Sequence, residues 1–277
     1  MPELPEVETI RFDLNHYLSG YQIINLQTDM PKMLKPTLKE IRFVLLTKTI
    51  RSFERRAKLI MVKFTNTSAI LLVHLKMTGR LLIRQPKDKK DRWTHVTITL
   101  QKGRDIKELR FADQRQFGYM KLVSPDELIQ IMQKFGPEPL QDLTFAVFQK
   151  ILQKKRLAIK KVLMDQSIFS GIGNIYANDA LYLAKIHPGF VASKLNYMQS
   201  KALFQAVETV LRAGLKFRGA SDNSYLDAFG NKGKYQEHFL IYRKQGQLCS
   251  SCGDKIIRIV VGGRGTFICP SCQKEKE

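Results

Sequence analysis

With 277 residues, 44% of them hydrophobic, the chain is long enough for two domains, each burying its own core. Its 46 lysines and arginines against 25 acids give a formal charge of +21, which argues against a neutral partner and for a polyanionic one. No apolar run approaches the roughly 18 to 20 residues of a membrane span. Glu3, Glu6 and Glu8 interrupt any basic-then-apolar leader, so a cytosolic protein is expected. A membrane surface is the competing polyanion, but no basic amphipathic helix stands out. The positive residues spread over the whole length (Arg55, Arg56, Lys58; Lys87 to Arg92; Lys154 to Arg156; Lys232, Lys234), which favours nucleic acid.

The chain opens Met1-Pro2-Glu3-Leu4-Pro5-Glu6-Val7-Glu8-Thr9, and Leu4, Val7, Ile10, Leu14 and Tyr17 recur at helical spacing. Two readings of this start are open. Pro2 and Glu3 can simply begin a helix, with proline in its first turn and acids favoured by the dipole. Alternatively, removal of the initiator methionine, usual in bacteria before a small residue, leaves Pro2 with a free secondary amine. Such an amine attacks a sugar or carbonyl carbon to give an iminium, which is cationic without a proton and draws electrons for elimination.

From Tyr21 to Val123 the pattern is strand-like. Tyr21–Asp29, Leu59–Thr65, Ala69–Leu75, Val96–Leu100 and Phe117–Val123 are separated by the turn residues Asn66, Gly79, Pro86 and Gly103. This predicts a β-sandwich or barrel-like domain with the first helix packed on it. Ser124-Pro125-Asp126-Glu127 is a helix start, and Gly136-Pro137-Glu138-Pro139 cannot continue that helix and is expected to form a hinge. Helical stretches follow near Thr144–Lys154, Leu157–Met164, Asn174–Ala184 and Leu195–Phe217, and Glu237–Gln273 is again strand-like. The expected class is α+β: a catalytic domain over 1–135, a hinge at 136–143, a helical domain over 144–236 and a cysteine module over 237–277.

That module pairs Cys249-x2-Cys252 with Cys269-x2-Cys272 across 16 residues (253 to 268). Two such knuckles read as one tetrahedral zinc held by four thiolates. Two disulfides are the alternative, which a cytosolic chain disfavours. Four thiolates leave no open position, so the zinc is expected to be structural. Lys255–Val261 and Thr266–Ile268 can form a hairpin around Gly262-Gly263-Arg264-Gly265, with Arg264 at its tip close to a phosphate or merely solvated.

Taken in order, MPELPEVET at 1–9, RRAK at 55–58, HLKMTG at 74–79, DQRQFG at 113–118, GPEPL at 136–140, SGIGNIYANDALYLAKIHP at 170–188 and GGRGTFICPSC at 262–272 make the chain resemble bacterial formamidopyrimidine-DNA glycosylases. The resemblance runs from residue 1 to about 273. Endonuclease VIII, the relative acting on oxidised pyrimidines, typically begins Pro-Glu-Gly-Pro-Glu, so Leu4 points to the purine branch. The resemblance implies a bifunctional glycosylase and abasic-site lyase. It would excise 8-oxoguanine and formamidopyrimidines from duplex DNA through an N-terminal proline Schiff base, followed by β,δ-elimination.

It further implies that Pro2 attacks C1′, that Glu3 protonates the sugar ring oxygen and shuttles protons, and that Glu6 supports them. Lys58 would link the phosphate beside the lesion to the first helix; its plain reading is a strand-edge lysine facing water. Gly171–Ala177 resembles the turn of a helix–two-turn–helix motif that presents N–H groups to a phosphate, with Asn174 adding a side-chain donor or merely capping the helix. His74, His95, Lys155 and Tyr242 fall at DNA-contacting positions, and Arg264 at a phosphate ligand also implicated in the second elimination. Met77, Arg115 and Phe117 match a trio that fills the gap left by the extruded nucleotide, although Met77 and Phe117 also suit a core. The implied protein is a monomer with one structural zinc, acting on double-stranded DNA at the nucleoid of a bacterial cytoplasm.

Two stretches depart from the family pattern. Arg92-Trp93-Thr94-His95 carries Trp93 where a first histidine is common, and Trp93 can stack on DNA or be buried. The loop that covers the flipped base usually begins with paired glycines, but here it reads Phe217-Arg218-Gly219-Ala220-Ser221-Asp222-Asn223-Ser224-Tyr225. That places lesion preference, more than catalysis, in question. The alternatives are an enzyme for oxidised pyrimidines or abasic sites, and a non-catalytic zinc protein that binds damaged DNA or structured RNA. The latter leaves the co-occurrence of Pro2, Glu3 and Lys58 unexplained.

Overall fold

The structure, a computed structural model, describes residues 1–222 and 224–275, so Asn223 of the departing loop lies outside the described residues. The chain forms two compact units, Met1–Gln133 with Phe217–Gln236, and Lys134–Lys216 with Glu237–Glu277.

The first unit starts with helix α1 (Leu4–Leu18). Leu4, Val7, Ile10, Leu14 and Leu18 are buried on one face, each contributing roughly 1.5 to 3 kcal/mol. Leu18 completes the stripe, not Tyr17, which is 44% exposed. Strands follow as β1 (Gln22–Thr28) and β2 (Leu34–Lys35), then helix α2 (Leu38–Leu45). After it come β3 (Ile50–Arg56), β4 (Leu59–Phe64), β5 (Ile70–His74), β6 (Gly79–Arg84), β7 (Thr94–Lys102), β8 (Asp105–Asp113) and β9 (Tyr119–Val123). They form a four-stranded sheet, β1-β7-β8-β6, and a five-stranded sheet, β2-β9-β5-β4-β3. One buried cluster joins Ile23, Val96, Ile98 and Phe111 of the first sheet to Phe53, Val62, Val73 and Met120 of the second, with Val7, Ile10 and Leu14 of α1. Helix α1 packs on β3 and β4. The sandwich with a helix on it is the architecture expected from the strand pattern.

The strand pattern overlooked β2, α2, β3, β6 and β8. Glu54 and Arg55 hide β3, and Lys107, Glu108 and Arg110 hide β8, because these charges are paired at the sheet rather than solvated in a loop. Gly79, expected in a turn, begins β6; a Cβ there would lie 2.5 Å from the Leu75 carbonyl oxygen. Helix α3 (Pro125–Met132) closes this part, capped as expected by Ser124 Oγ accepting from the Glu127 amide at 3.2 Å.

Residues 217–236 also belong to this unit, which corrects the boundary expected at 144–236. Tyr225 and Ala228 enter its core, the Ala228 carbonyl accepts from the Ile83 amide at 2.8 Å, and the Ser224 carbonyl accepts from Arg80 Nε at 2.7 Å. Burial of Tyr225 and Ala228 outweighs the loop's position in sequence after a long helix.

The second unit holds α4 (Phe145–Leu152), α5 (Ile159–Met164), α6 (Asn174–Leu183), α7 (Tyr197–Lys216) and a hairpin of β10 (Ile257–Val261) and β11 (Arg264–Ile268). The Gly136–Pro139 segment, expected as a hinge, is fastened inside this unit. The Gly136 amide donates to the Gln166 carbonyl at 2.9 Å, the Ser170 amide to the Pro137 carbonyl at 3.1 Å, and Glu138 is fully buried. Helix α7 crosses α6 closely enough that a Cβ on Gly214 would meet the Tyr176 ring at 2.5 Å. Of the strand-like stretch 237–273, only β10 and β11 are strands.

Candidate active site and nucleic-acid interface

In the first unit the start of α1 gathers the acids read from the sequence. Pro2 is buried, and Glu3 and Glu6 are only 3% and 1% exposed. Glu6 Oε2 accepts from the Glu3 amide at 2.7 Å, and Glu6 Oε1 accepts from the Ala220 amide at 2.8 Å. Two N–H donors, one on each oxygen of the carboxylate, fix its rotamer. Glu8, the third acid, is instead an ion-pair partner of Arg55 at 2.8 Å and of Arg11. The acids behind Pro2 therefore split into a buried pair and a clamp on β3.

Lys58 lies in the two-residue turn between β3 and β4, where Arg56 pairs with Leu59 and Ala57 has φ +54°. It is 5% exposed, so it is not a strand-edge lysine facing water. Leu59 pairs with His74 at the end of β5. Burial first, and then the charges of Lys76 and Lys58, hold the His74 imidazole down to about 4. Its Nδ1 accepts from the Lys76 amide at 2.9 Å, so the neutral ring carries its proton on Nε2.

Met77, Arg115 and Phe117 are brought together by one buried carboxylate. Asp113 accepts from Thr78 Oγ1, from the Arg115 amide at 3.2 Å and from the Gly118 amide at 2.7 Å, and Thr78 Oγ1 accepts from the Arg115 amide at 3.1 Å. The turn carrying Met77 is thereby tied to the 114–118 loop. Phe117 is 56% exposed under the Arg115 guanidinium, 4.8 Å from its ring centre, and Met77 is half-buried. A core role for Phe117 is excluded by that exposure. His95 Nδ1 lies 2.9 Å from Asp29. Trp93 is 38% exposed with Arg92 4.6 Å above its ring, so it is a surface residue rather than a core one.

The second unit holds the remaining positions. Asn174 is the first residue of α6, with Gly173 as the cap, and its Nδ2 donates to the Gly265 carbonyl at 3.2 Å. This corrects the plain-cap alternative. The same carbonyl accepts from the buried Lys160 ammonium at 3.2 Å, which also donates to Thr266 Oγ1 at 2.7 Å. The Phe267 amide donates to Asn178 Oδ1 at 2.8 Å. Helices α5 and α6 thus grip the hairpin from Gly265 to Phe267. Arg264 itself pairs with Val261 as the first residue of β11, not within the turn tip as expected. The turn is Gly262-Gly263 alone, both with positive φ (+59° and +72°), the conformation that closes two-residue hairpins. The Arg264 side chain is exposed.

Asp179, fully buried in α6, accepts from the amides of Leu240, Ile241 and Tyr242 at 3.2, 3.0 and 3.0 Å. It thereby sets the Tyr242 backbone, while the ring stands edge-on between Phe239 and Phe267, each 5.2 Å away. Lys155 follows α4 half-buried, its carbonyl accepting from the Ser193 amide at 2.9 Å. Asp113 and Asp179 lie inside the DQRQFG and SGIGNIYANDALYLAKIHP runs and Lys160 in a basic stretch, but none of the three is singled out by sequence reasoning. Each looks like a surface charge, and only the neighbouring turns reveal why it is buried.

The four cysteine sulfurs lie within 4.8 Å of one another, with Cys249 to Cys272 at 3.8 Å and Cys252 to Cys269 at 3.4 Å. Zinc–thiolate bonds of about 2.3 Å at tetrahedral angles require sulfurs close to 3.8 Å apart, so the donor set fits one structural zinc. The Tyr182 hydroxyl 3.1 Å from Cys249 Sγ and the Ser251 amide at 3.4 Å support the thiolate. Gln273 ties the second knuckle to the helices, accepting from the Cys269 amide and donating to the Ile186 carbonyl at 2.9 Å.

Three domain families match the chain in order: the formamidopyrimidine-DNA glycosylase N-terminal domain over 1–120, its H2TH domain over 135–225, and a zinc finger found in FPG and IleRS over 246–274. A formamidopyrimidine-DNA glycosylase from Herpetosiphon aurantiacus is 42% identical over 99% of this chain and 100% of its own. A solved complex of Lactococcus lactis Fpg with DNA containing an abasic site superposes with a TM-score of 0.91 at 33% identity, covering 99% of this chain and 100% of that one. MutM with DNA containing carbocyclic 8-oxoguanine gives the same scores and coverage. The L. lactis enzyme with DNA containing an oxidised pyrimidine superposes at 0.90, with 33% identity and equal coverage. Identity of this level along essentially the whole length, with all three domain families matched in order, makes the chain a member of the formamidopyrimidine-DNA glycosylase family.

Proposed function

We propose that the chain excises oxidised purines from duplex DNA and then cleaves the strand. The observation that carries this reading is the buried Glu3–Glu6 pair directly behind Pro2, in a chain of charge +21. Once Met1 is removed, the Pro2 nitrogen attacks C1′ of the damaged nucleotide. The base leaves with the bonding electrons and takes a proton, while Glu3 protonates the ring oxygen so that the sugar opens to an iminium. Loss of a C2′ proton then expels the 3′ phosphate, and a second elimination expels the 5′ phosphate.

Lys58, His74 and His95 in the first unit, and Lys155, Asn174, Tyr242 and Arg264 in the second, are the proposed DNA ligands. A neutral His74 donates through Nε2 without adding a charge. Met77, Arg115 and Phe117 occupy the gap opened by base extrusion. The exposed Arg115–Phe117 stack supports this, since an apolar ring held at the surface by its loop suits insertion between bases. The zinc keeps the Arg264 hairpin folded and takes no part in bond making. The protein works as a monomer.

Borohydride should trap the mature protein covalently on a duplex containing 8-oxoguanine, with intact mass showing the loss of Met1. Pro2→Gly should greatly impair trapping and base excision. No covalent complex with the wild type would overturn the reading. An L. lactis relative has been solved with an oxidised pyrimidine, which supports a second, broader substrate range. Equal excision rates across a panel of purine and pyrimidine lesions would favour that range.

A further inference from the structure

Three charged groups of the first unit are unused by this chemistry. Arg218 stands in the departing loop with φ +57°, a backbone that glycine adopts freely and L side chains rarely do. Its Nη2 donates to Asp13 Oδ2 on α1 at 2.6 Å and to Asp227 Oδ2 at 3.0 Å. The two aspartate side chains are 4% and 5% exposed, whereas Arg218 keeps 45%. Asp227 Oδ1 also accepts from the Phe229 and Asn231 amides at 3.0 and 2.8 Å, which binds it to the far arm of the loop. One guanidinium therefore joins α1 to both ends of the segment, and it separates two buried carboxylates that would otherwise repel.

The next residues carry this connection to the acids. The Gly219 carbonyl accepts from the Tyr235 amide at 3.0 Å, the Arg218 carbonyl from the Tyr225 hydroxyl at 3.1 Å, and the Ala220 amide reaches Glu6. A Cβ on Gly219 would stand 2.8 Å from Glu6 Cγ, so the chain presses directly on that side chain. The other Glu6 oxygen holds the Glu3 amide.

We propose that Arg218 is a positioning residue: by bridging Asp13 and Asp227 it seats residues 218–220 on α1, and so fixes the Glu6 carboxylate that orients Glu3. The proposal rests on the reading of Glu3 as the proton donor in base excision. Ring opening of an intact nucleoside needs that donor, whereas an abasic sugar already equilibrates with its open aldehyde and needs it less. A slackened bridge therefore slows base excision more than cleavage at a preformed abasic site.

The test compares full-length wild type, Arg218→Gln and the Asp13→Asn/Arg218→Gly double variant, which cuts the bridge without leaving two carboxylates face to face. Active sites are counted by borohydride trapping on an abasic duplex, so misfolded protein does not enter the rates. Per active site, kcat on an 8-oxoguanine duplex should fall between about tenfold and a hundredfold, with KM unchanged. Cleavage of the abasic duplex should stay within about twofold of the wild type. Parallel losses on both substrates, or undiminished excision in both variants, would overturn the proposal. A wild type that cleaves abasic DNA but excises no base would instead remove the reading of Glu3, and the proposal with it.

Discussion

The two units hold their proposed functional groups by opposite means. In the first, a large shared core lets Glu3, Glu6 and Lys58 sink almost out of solvent, where their charges are strengthened by low dielectric and by a few directed N–H donors. In the second, Arg264 stays exposed, and its precision comes from the backbone around it, gripped by Lys160, Asn174 and Asn178 and closed by four thiolates. Buried groups suit bond making, where water must be excluded. Exposed groups on a stiff frame suit holding a phosphate that arrives already hydrated.

This contrast is broken most severely by removing the metal. Thiolate zinc sites of this kind supply on the order of 10 kcal/mol to the fold around them. Chelation, or Cys252→Ser, should unfold the hairpin and abolish DNA affinity. Hydrogen exchange across α1 and β3–β5 should stay at its native level. Loss of protection in both units together would show that they are not held independently.

Next in size is Glu3→Gln. Removing a positioned proton donor costs about 10²- to 10⁴-fold in rate. Single-turnover excision should fall within that range while binding to lesion-containing DNA, read by anisotropy, is unchanged. Weaker binding of similar size would place Glu3 among the gripping groups instead.

His74 sharpens the role of burial. An imidazole whose basicity is lowered in the folded state stabilises the fold fully above its unfolded value of 6.5, and that contribution is lost as pH falls toward about 4. A displacement of this size is worth roughly 3 kcal/mol. Urea midpoints should therefore drop between pH 6.5 and 4, and His74→Gln should flatten that part of the profile. An unchanged profile would mean that the ring is not held neutral by its surroundings.

The smallest effect is expected at Arg264. Arg264→Ala should weaken DNA affinity by about the same factor on lesion and undamaged duplexes and reduce the salt slope by about 1. A loss confined to lesion-containing DNA would move Arg264 from the gripping surface to the chemistry.

The sequence was most readable where chemistry requires rare residues at fixed spacing. The two CxxC knuckles, the acids behind Pro2 and the glycine-flanked Asn174 run led to the family, the fold class and the metal. It was least readable where a charge is buried. β3 and β8 carry ionic residues that are paired at the sheet, so their period looked like loop. Arg218 looked like a disrupted glycine pair, because its partners Asp13 and Asp227 are 205 and 9 residues away in sequence. Loop 217–236 was assigned to its neighbours in the chain, whereas Tyr225 and Ala228 take it into the other unit's core.

Glu6 faces two backbone amides, one on each oxygen, and this makes glutamine a poor substitute despite its matching shape. In either flip of its amide, the NH2 end would point at an N–H of Glu3 or of Ala220, donor against donor. The position therefore demands a group that is acceptor on both sides, and aspartate is one methylene too short to span the same two amides.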